Sequence, residues 1–229
     1  MPAASEPLVL HALAGLPDVR PGDDLGRLLA DAAPRDLVAR DVLVVAHKVV
    51  SKAEGRMRRL EEIEPGERAR ALGAEHRKDP RLVQAVLDES VELVRAHDGV
   101  LVCETHHGFV CANAGVDQSN ASDVGELILL PADPDASARR LRAEIDAARG
   151  VRPAVVIADS FGRAWRLGQT DVAIGVAGLM PLDQWFGRPD GYGRDLRATS
   201  IAVADAVAAA ADLARRKDSR EPAVLVRGL

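Results

Sequence analysis

The chain is short of aromatic residues, cysteines and positive charge, and each shortage excludes something. Phe, Trp and Tyr make up 3% of its 229 residues, so a core must be assembled from Ala, Val, Leu and Ile. Cys103 and Cys111 are its two cysteines, too few for a disulfide framework at this length. The formal net charge is −5, whereas a protein that coats nucleic acid or an anionic membrane is usually basic. No apolar run approaches the ~20 residues of a membrane-spanning helix. Met1 to His11 lacks the basic-then-apolar order of a secretory signal. There is no G-x-x-x-x-G-K-[ST] loop and no strand-linked G-x-G-x-x-G. The expectation is a cytoplasmic protein with neither a nucleic-acid nor a membrane partner.

What is present is ordinary for a globular protein: 47% apolar and 28% charged residues, with no repeat and no low-complexity linker. Asp41 to Ala46 and Ala154 to Ala158 are short, continuous and rich in Val and Ile, the pattern of buried strands. Val100 to Glu104 and Phe109 to Asn113 predict paired strands around His106-His107-Gly108. Val172 to Val176 and Ala223 to Val226 predict two more. Pro21-Gly22-Asp23-Asp24 is a turn followed by a helix start, where an Asp can cap the free amides ahead of Leu25, Leu28 and Leu29. Further helices are predicted over Pro65 to His76, Pro80 to Ser90, Ala136 to Arg149 and Ser200 to Arg216. Strands and helices interleave without a regular βαβ rhythm, which favours a mixed α+β fold over a doubly wound sheet.

Three stretches are too polar and glycine-rich to be simple core. In Ala46 to Arg56, Lys48 and Lys52 are four apart, so one helical face can offer two ammonium groups to phosphates. The bland alternative is a solvated helix start. Ala112 to Asn120 gathers Asp117, side-chain amides and a hydroxyl behind a strand. Such oxygen ligands suit Mg²⁺ or Mn²⁺, although a self-satisfied turn has the same composition. The third stretch, Ala158 to Asp171, is the most specific. A buried strand delivers Asp159 and Ser160 at its end, Gly162 admits a close ligand, and Arg163 and Arg166 can meet phosphate or carboxylate in bidentate fashion. Cys103, His106, His107 and Cys111 have the composition of a zinc tetrad, but they alternate faces across a short hairpin, unlike paired CxxC knuckles.

Several segments follow one another in order: Gly15-Leu16-Pro17 with Gly22-Asp23-Asp24-Leu25, Lys48 to Arg56, Asn113 to Asn120, Asp159 to Gly178, Tyr192-Gly193-Arg194, Ala202 to Asp205, and Val226-Arg227-Gly228. Taken together, they resemble the coenzyme F420-0:L-glutamate ligase (γ-glutamyl ligase) family. The resemblance implies a single ligase domain over residues 1–229 in an intertwined homodimer, without the fused flavin reductase-like domain of some members. It implies a ligation of L-glutamate to F420-0 driven by GTP, with ATP as the alternative nucleotide and K⁺ as an additional cation. By motif position, Asp117, Asp159 and Ser160 would hold the divalent metal. Lys52 and Asn120 would contact the nucleotide, together with the turn Leu16, Pro17, Asp18 and Val19.

The residues agree with that chemistry. A carboxylate resists attack by an amine until phosphoryl transfer gives it a good leaving group. Lys48, Lys52, Arg163 and Arg166 can steady the phosphates of that step. The alternatives are an amide ligase for another carboxylate and a non-catalytic nucleotide or deazaflavin binder. Two positions depart from the family pattern. His47 stands where a small hydroxyl residue is common. Ala214 to Pro222 has no glycine where the family has a glycine-containing loop around the nucleotide. Without glycine, left-handed backbone is not expected there, so Arg215, Arg216, Lys217 and Arg220 would have to reach phosphate through their side chains.

Overall fold

The computed structural model describes residues 7–119, 125–216 and 218–229. They run in the order β1 (Val9–Ala12), α1 (Leu25–Ala32), β2 (Val42–Ala46), α2 (His47–Ala53), β3 (Met57–Arg59), α3 (Glu67–His76), α4 (Pro80–Asp88), β4 (Ser90–His97), β5 (Val100–Thr105), β6 (Val110–Ala112), β7 (Glu126–Ile128), α5 (Pro134–Arg149), β8 (Ala154–Gly162), β9 (Gln169–Ala177), β10 (Leu182–Gln184), β11 (Ser200–Ala202), α6 (Val203–Ala214) and β12 (Ala223–Arg227). The main sheet has the order β1-β12-β2-β8-β9. β2 and β8 run parallel, from Val42↔Ala154 to Ala46↔Ala158, and the other pairings in this sheet are antiparallel. The architecture is mixed α+β, as the irregular rhythm of elements predicts.

β2 reads as a continuous apolar run because both of its faces are covered. Leu43 and Val45 join Leu25 and Leu29 of α1 and Leu141 and Ile145 of α5 in one core. Val42 and Val44 join Val207, Ala208 and Ala211 of α6 in another. The small side chains of α6 let the helix lie close to the sheet, which is how a chain with few aromatics closes this face. Helix starts follow local capping rules. Asp24 accepts from Arg27 N at 2.9 Å. Asp133 accepts from Ala136 N at 2.8 Å with Pro134 in the first turn, and α5 stops at Gly150, φ 64°.

A separate core is built from the middle of the chain. Val83 and Val86 of α4, Ala69 of α3, Leu101 and Cys103 of β5, and Val116, Leu127 and Leu129 pack together. This part carries the β4-β5-β6 sheet and the β3-β7 pair. Among the described residues no helix is long and apolar enough to cross a membrane.

Three expectations are corrected. The α4 reading ran to Ser90, but Ser90 opens β4, whose register shifts between Ser90 and Glu92 and again between Leu93 and Arg95. Each irregularity breaks the period-2 alternation that would have marked the strand. Ser200 to Ala202 pair with β10 instead of starting a helix, and α6 begins at Val203. β8 does not end at Ala158. It continues to Gly162 in a hairpin with β9, so Asp159 and Ser160 lie within a strand.

Candidate active site

The last parallel pair, Ala46↔Ala158, marks where the two central strands part. β2 turns at once into α2, while β8 runs on with β9 as its remaining partner. Diverging chains at the carboxyl ends of parallel strands leave a crevice, and here it is a cleft of about 950 Å³. α2 lines it with His47, Lys48 and Lys52, and β8 with Asp159 and Ser160. Lys48 and Lys52 thus share one helical face, as their spacing predicts.

Asp117 reaches the same cleft from the other core. It follows a turn in which Asn113, Ala114 and Gly115 all have positive φ, at 51°, 51° and 73°. Reciprocal backbone bonds with Ile128, at 3.0 and 2.8 Å, then fix its position. Its carboxylate meets Lys48 Nζ at 2.6 Å and accepts from Ser119 N and Oγ at 2.7 and 2.9 Å. Burial pushes the Asp117 carboxyl up, but the Lys48 and Ser119 hydrogen bonds outweigh it and hold the group below the usual carboxylate range.

On β8, Ser160 N–H donates to Asp159 Oδ1 at 2.8 Å, and Ser160 Oγ donates to Asp171 Oδ1 at 2.5 Å. Asp171 is 1% exposed, and its other oxygen accepts from Arg215 Nη2. His47 Nε2 lies 3.2 Å from Asp159 Oδ1. Lys52, 6% exposed, has Asp18 as its nearest anion at 3.7 Å. Leu16, Pro17, Asp18 and Val19 form the rim beside it.

The family profile for F420-0:gamma-glutamyl ligase matches residues 15–228. The chain is 45% identical over 223 residues to the coenzyme F420:L-glutamate ligase of Methanothermobacter thermautotrophicus, covering 96% of this chain and 88% of that protein. It is 47% identical over 212 residues to the ligase of the same name from Methanopyrus kandleri, covering 92% and 83%. The corresponding figures for the ligase from Haloarcula marismortui are 44% over 225 residues, 95% and 86%.

The chain belongs to the F420-0:γ-glutamyl ligase family. Its cleft brings together all the residues singled out in sequence for metal, Asp117, Asp159 and Ser160, with Lys48, Lys52 and the Leu16–Val19 turn singled out for nucleotide. Among the described residues no three His, Cys, Asp or Glu side chains gather as a ready-made cage. The donor set is two carboxylates and a hydroxyl, set among lysines. Hard oxygen donors in small number fit Mg²⁺ or Mn²⁺, which commonly complete their shells with substrate phosphate and water.

Other candidates of this ligase fall elsewhere. Arg163 and Arg166 lie outside the cleft lining, at the exposed tip of the β8–β9 hairpin. Arg163 folds back to donate to Leu167 O and Gly168 O. Asn120 and Lys217 lie outside the described residues. Arg215 borders the cleft, and neighbouring groups of the protein hold it. Its side chain is 9% exposed and held by Asp171, by Asp212 at 3.7 Å and by Pro222 O at 3.1 Å. The segment also reaches left-handed backbone without glycine, at Arg220 with φ 56°, contrary to the expectation from composition. Arg216 and Arg220 border the cleft as well.

His47, Asp171 and Gln169 were not assigned as site residues in sequence. Asp171 closes the Asp159 to Asp171 stretch, but only the pairing Ser160↔Asp171 reveals its role. Cys103 and Cys111 are paired across β5 and β6, while His106 and His107 bond to separate carbonyls, of Asp88 at 3.1 Å and Pro131 at 2.9 Å. Burial first, then the charge of Asp159, pushes the Cys111 thiol up to about 12.

Proposed function

We propose that this chain joins the amino group of L-glutamate to the carboxylate of coenzyme F420-0, driven by GTP through an acyl phosphate, and that it repeats the step to extend a γ-glutamyl tail. One observation carries the reading: two acidic positions from separate cores, Asp117 and Asp159, open onto one cleft with Lys48 and Lys52. The names of relatives at 44 to 47% identity supply the acceptor and the amino acid.

Lys52 is buried where it lines the cleft, with Asp18 as its one anionic neighbour among the described residues, so a phosphate oxygen is its natural partner. Lys48 sits between Asp117 and the open cleft and can pass from carboxylate to phosphate. A Mg²⁺ or Mn²⁺ ion bound by Asp117, Asp159 and Ser160 would neutralise charge on the transferring phosphoryl group. The Leu16–Val19 rim would pack on the nucleotide beside Lys52, with Asn120 as a further contact. Holding acyl phosphate and glutamate side by side then supplies much of the rate.

The active form in this proposal is an intertwined homodimer. Trp165, Leu167, Phe186 and Tyr192 are 88%, 95%, 75% and 95% exposed, and a partner protomer would cover them. Arg163 and Arg166 flank Trp165 on the same tip. In such a dimer they would serve as catalytic cations for the cleft of the partner protomer.

Mass spectrometry of F420-0 incubated with the protein, L-glutamate, Mn²⁺ or Mg²⁺, and either GTP or ATP tests the reaction. The expected product carries one or more added glutamates, with GDP and phosphate released. Nucleotide hydrolysis without a glutamylated product, or no turnover with either nucleotide, overturns the proposal.

A further inference from the structure

We propose that Asp171 is a positioning residue: it holds the Ser160 hydroxyl in the orientation that a divalent cation requires and, through Arg215, ties the end of α6 to that same hydroxyl. This rests on the reading of Asp117, Asp159 and Ser160 as cation ligands. Asp171 lies in the Asp159–Gly178 segment that carries the family resemblance, which assigns it no role. Its place follows from the register of the β8–β9 hairpin, where Ser160 and Asp171 are directly opposed.

A serine hydroxyl has one proton and two lone pairs. Here the proton goes to Asp171 Oδ1 at 2.5 Å, and the Ser160 backbone N–H goes to Asp159 Oδ1 at 2.8 Å. With both donors committed to carboxylates, Ser160 Oγ can offer its surroundings only lone pairs. That is the form in which a hydroxyl binds a metal ion. Rotation of the hydroxyl would instead aim a proton at the cation. Asp171 is 1% exposed, and a buried carboxylate is tolerated only when paired and hydrogen-bonded. Arg215 supplies that countercharge, and its guanidinium also holds Pro222 O at 3.1 Å. One carboxylate thereby links the cation-facing hydroxyl on β8 to the chain that joins α6 to β12. Outer partners that orient metal ligands in this way commonly change affinity by about 10–100-fold when removed.

The test is Mn²⁺ titration of the nucleotide-free full chain, with free ion counted by electron paramagnetic resonance and folding followed by circular dichroism. Asp171→Ala should weaken Mn²⁺ binding about tenfold. Ser160→Ala should weaken it comparably, and the double variant should be no worse than either single one, because one residue acts through the other. A purely structural role for Asp171 would give no such non-additivity. Should Asp171→Ala fail to fold, the apolar pair Asp171→Leu/Arg215→Met removes both charges at similar volume, and the same loss is expected. Wild-type affinity in either folded variant, or losses that add in the double variant, overturns the positioning role alone. A wild-type chain that binds no Mn²⁺ overturns the ligand reading, and this inference with it.

Discussion

Gly115 sits two residues before Asp117, and replacing it with alanine should displace that carboxylate. Two physical terms oppose a side chain there. Its φ is +73°, and a left-handed L-residue costs about 1–2 kcal/mol. An added Cβ would also lie 2.6 Å from Leu130 Cγ and 2.7 and 2.8 Å from its two methyls. Leu130 is 1% exposed, so it has little room to yield, and overpacking of this kind costs about 1–3 kcal/mol. Together Gly115→Ala should destabilise the chain by about 2–5 kcal/mol. Gly108→Ala is the control. Gly108 has φ +84° but nothing within 4 Å of an added Cβ, so only the backbone strain of about 1–2 kcal/mol applies. Urea denaturation of both variants measures the difference, which isolates the clash. Mn²⁺ titration should show weakened binding for Gly115→Ala and near-normal binding for Gly108→Ala. Equal destabilisation by the two substitutions would refute the argument that Leu130 enforces glycine, and unchanged Mn²⁺ affinity in Gly115→Ala would refute the claim that this turn aims Asp117.

Lys48→Met should tighten Mn²⁺ binding, because Nζ now sits 2.6 Å from Asp117 Oδ2, and should weaken GTP binding at least about tenfold, the worth of one charge-assisted hydrogen bond. Calorimetry with each ligand checks it, and no change in either affinity would count against both roles. Asp41 is fully buried, and burial pushes its carboxyl up. The bidentate pair with Arg227, at 2.7 Å for both bonds, and Val38 N–H outweigh that and hold it below the usual range. A depressed folded pKa contributes stability above the unfolded value, near pH 4, that is lost as pH falls through the folded value. Asp41→Asn should therefore lower the urea midpoint at neutral pH and flatten its decline below about pH 4; a decline as steep as wild type would contradict this. Light scattering should give a mass near twice 24.3 kDa for the wild type, and Trp165→Glu with Tyr192→Glu should return it to the monomer. A wild-type monomer at micromolar concentration would remove the dimer proposal.

The sequence alone determined the elements whose signals are local. Asp41 to Ala46 and Ala154 to Ala158 were legible as strands because burial on both faces demands an unbroken apolar run, and the Asp23-Asp24 pair marked the start of a helix. The segments from Gly15 to Gly228 also carried the family, since chemistry-bearing residues kept in order are specific in a way that single motifs are not. What the sequence left open depended on contacts between distant residues. β4 was hidden because its register shifts destroy alternation, and the extension of β8 required β9 as its partner. Asp171 looked like one more acidic residue until the hairpin register set it against Ser160. Arg215 read as a side chain that would reach phosphate, and folding set it against Asp171 as well. Arg163 and Arg166, next to Asp159 and Ser160 in sequence, were carried to the tip of a hairpin. Meanwhile Asp117 and Asp159, 42 residues apart by their numbers, were brought to one cleft. Sequence proximity decides capping and strand pattern. Only the packing of two cores against each other decides which charges face one another.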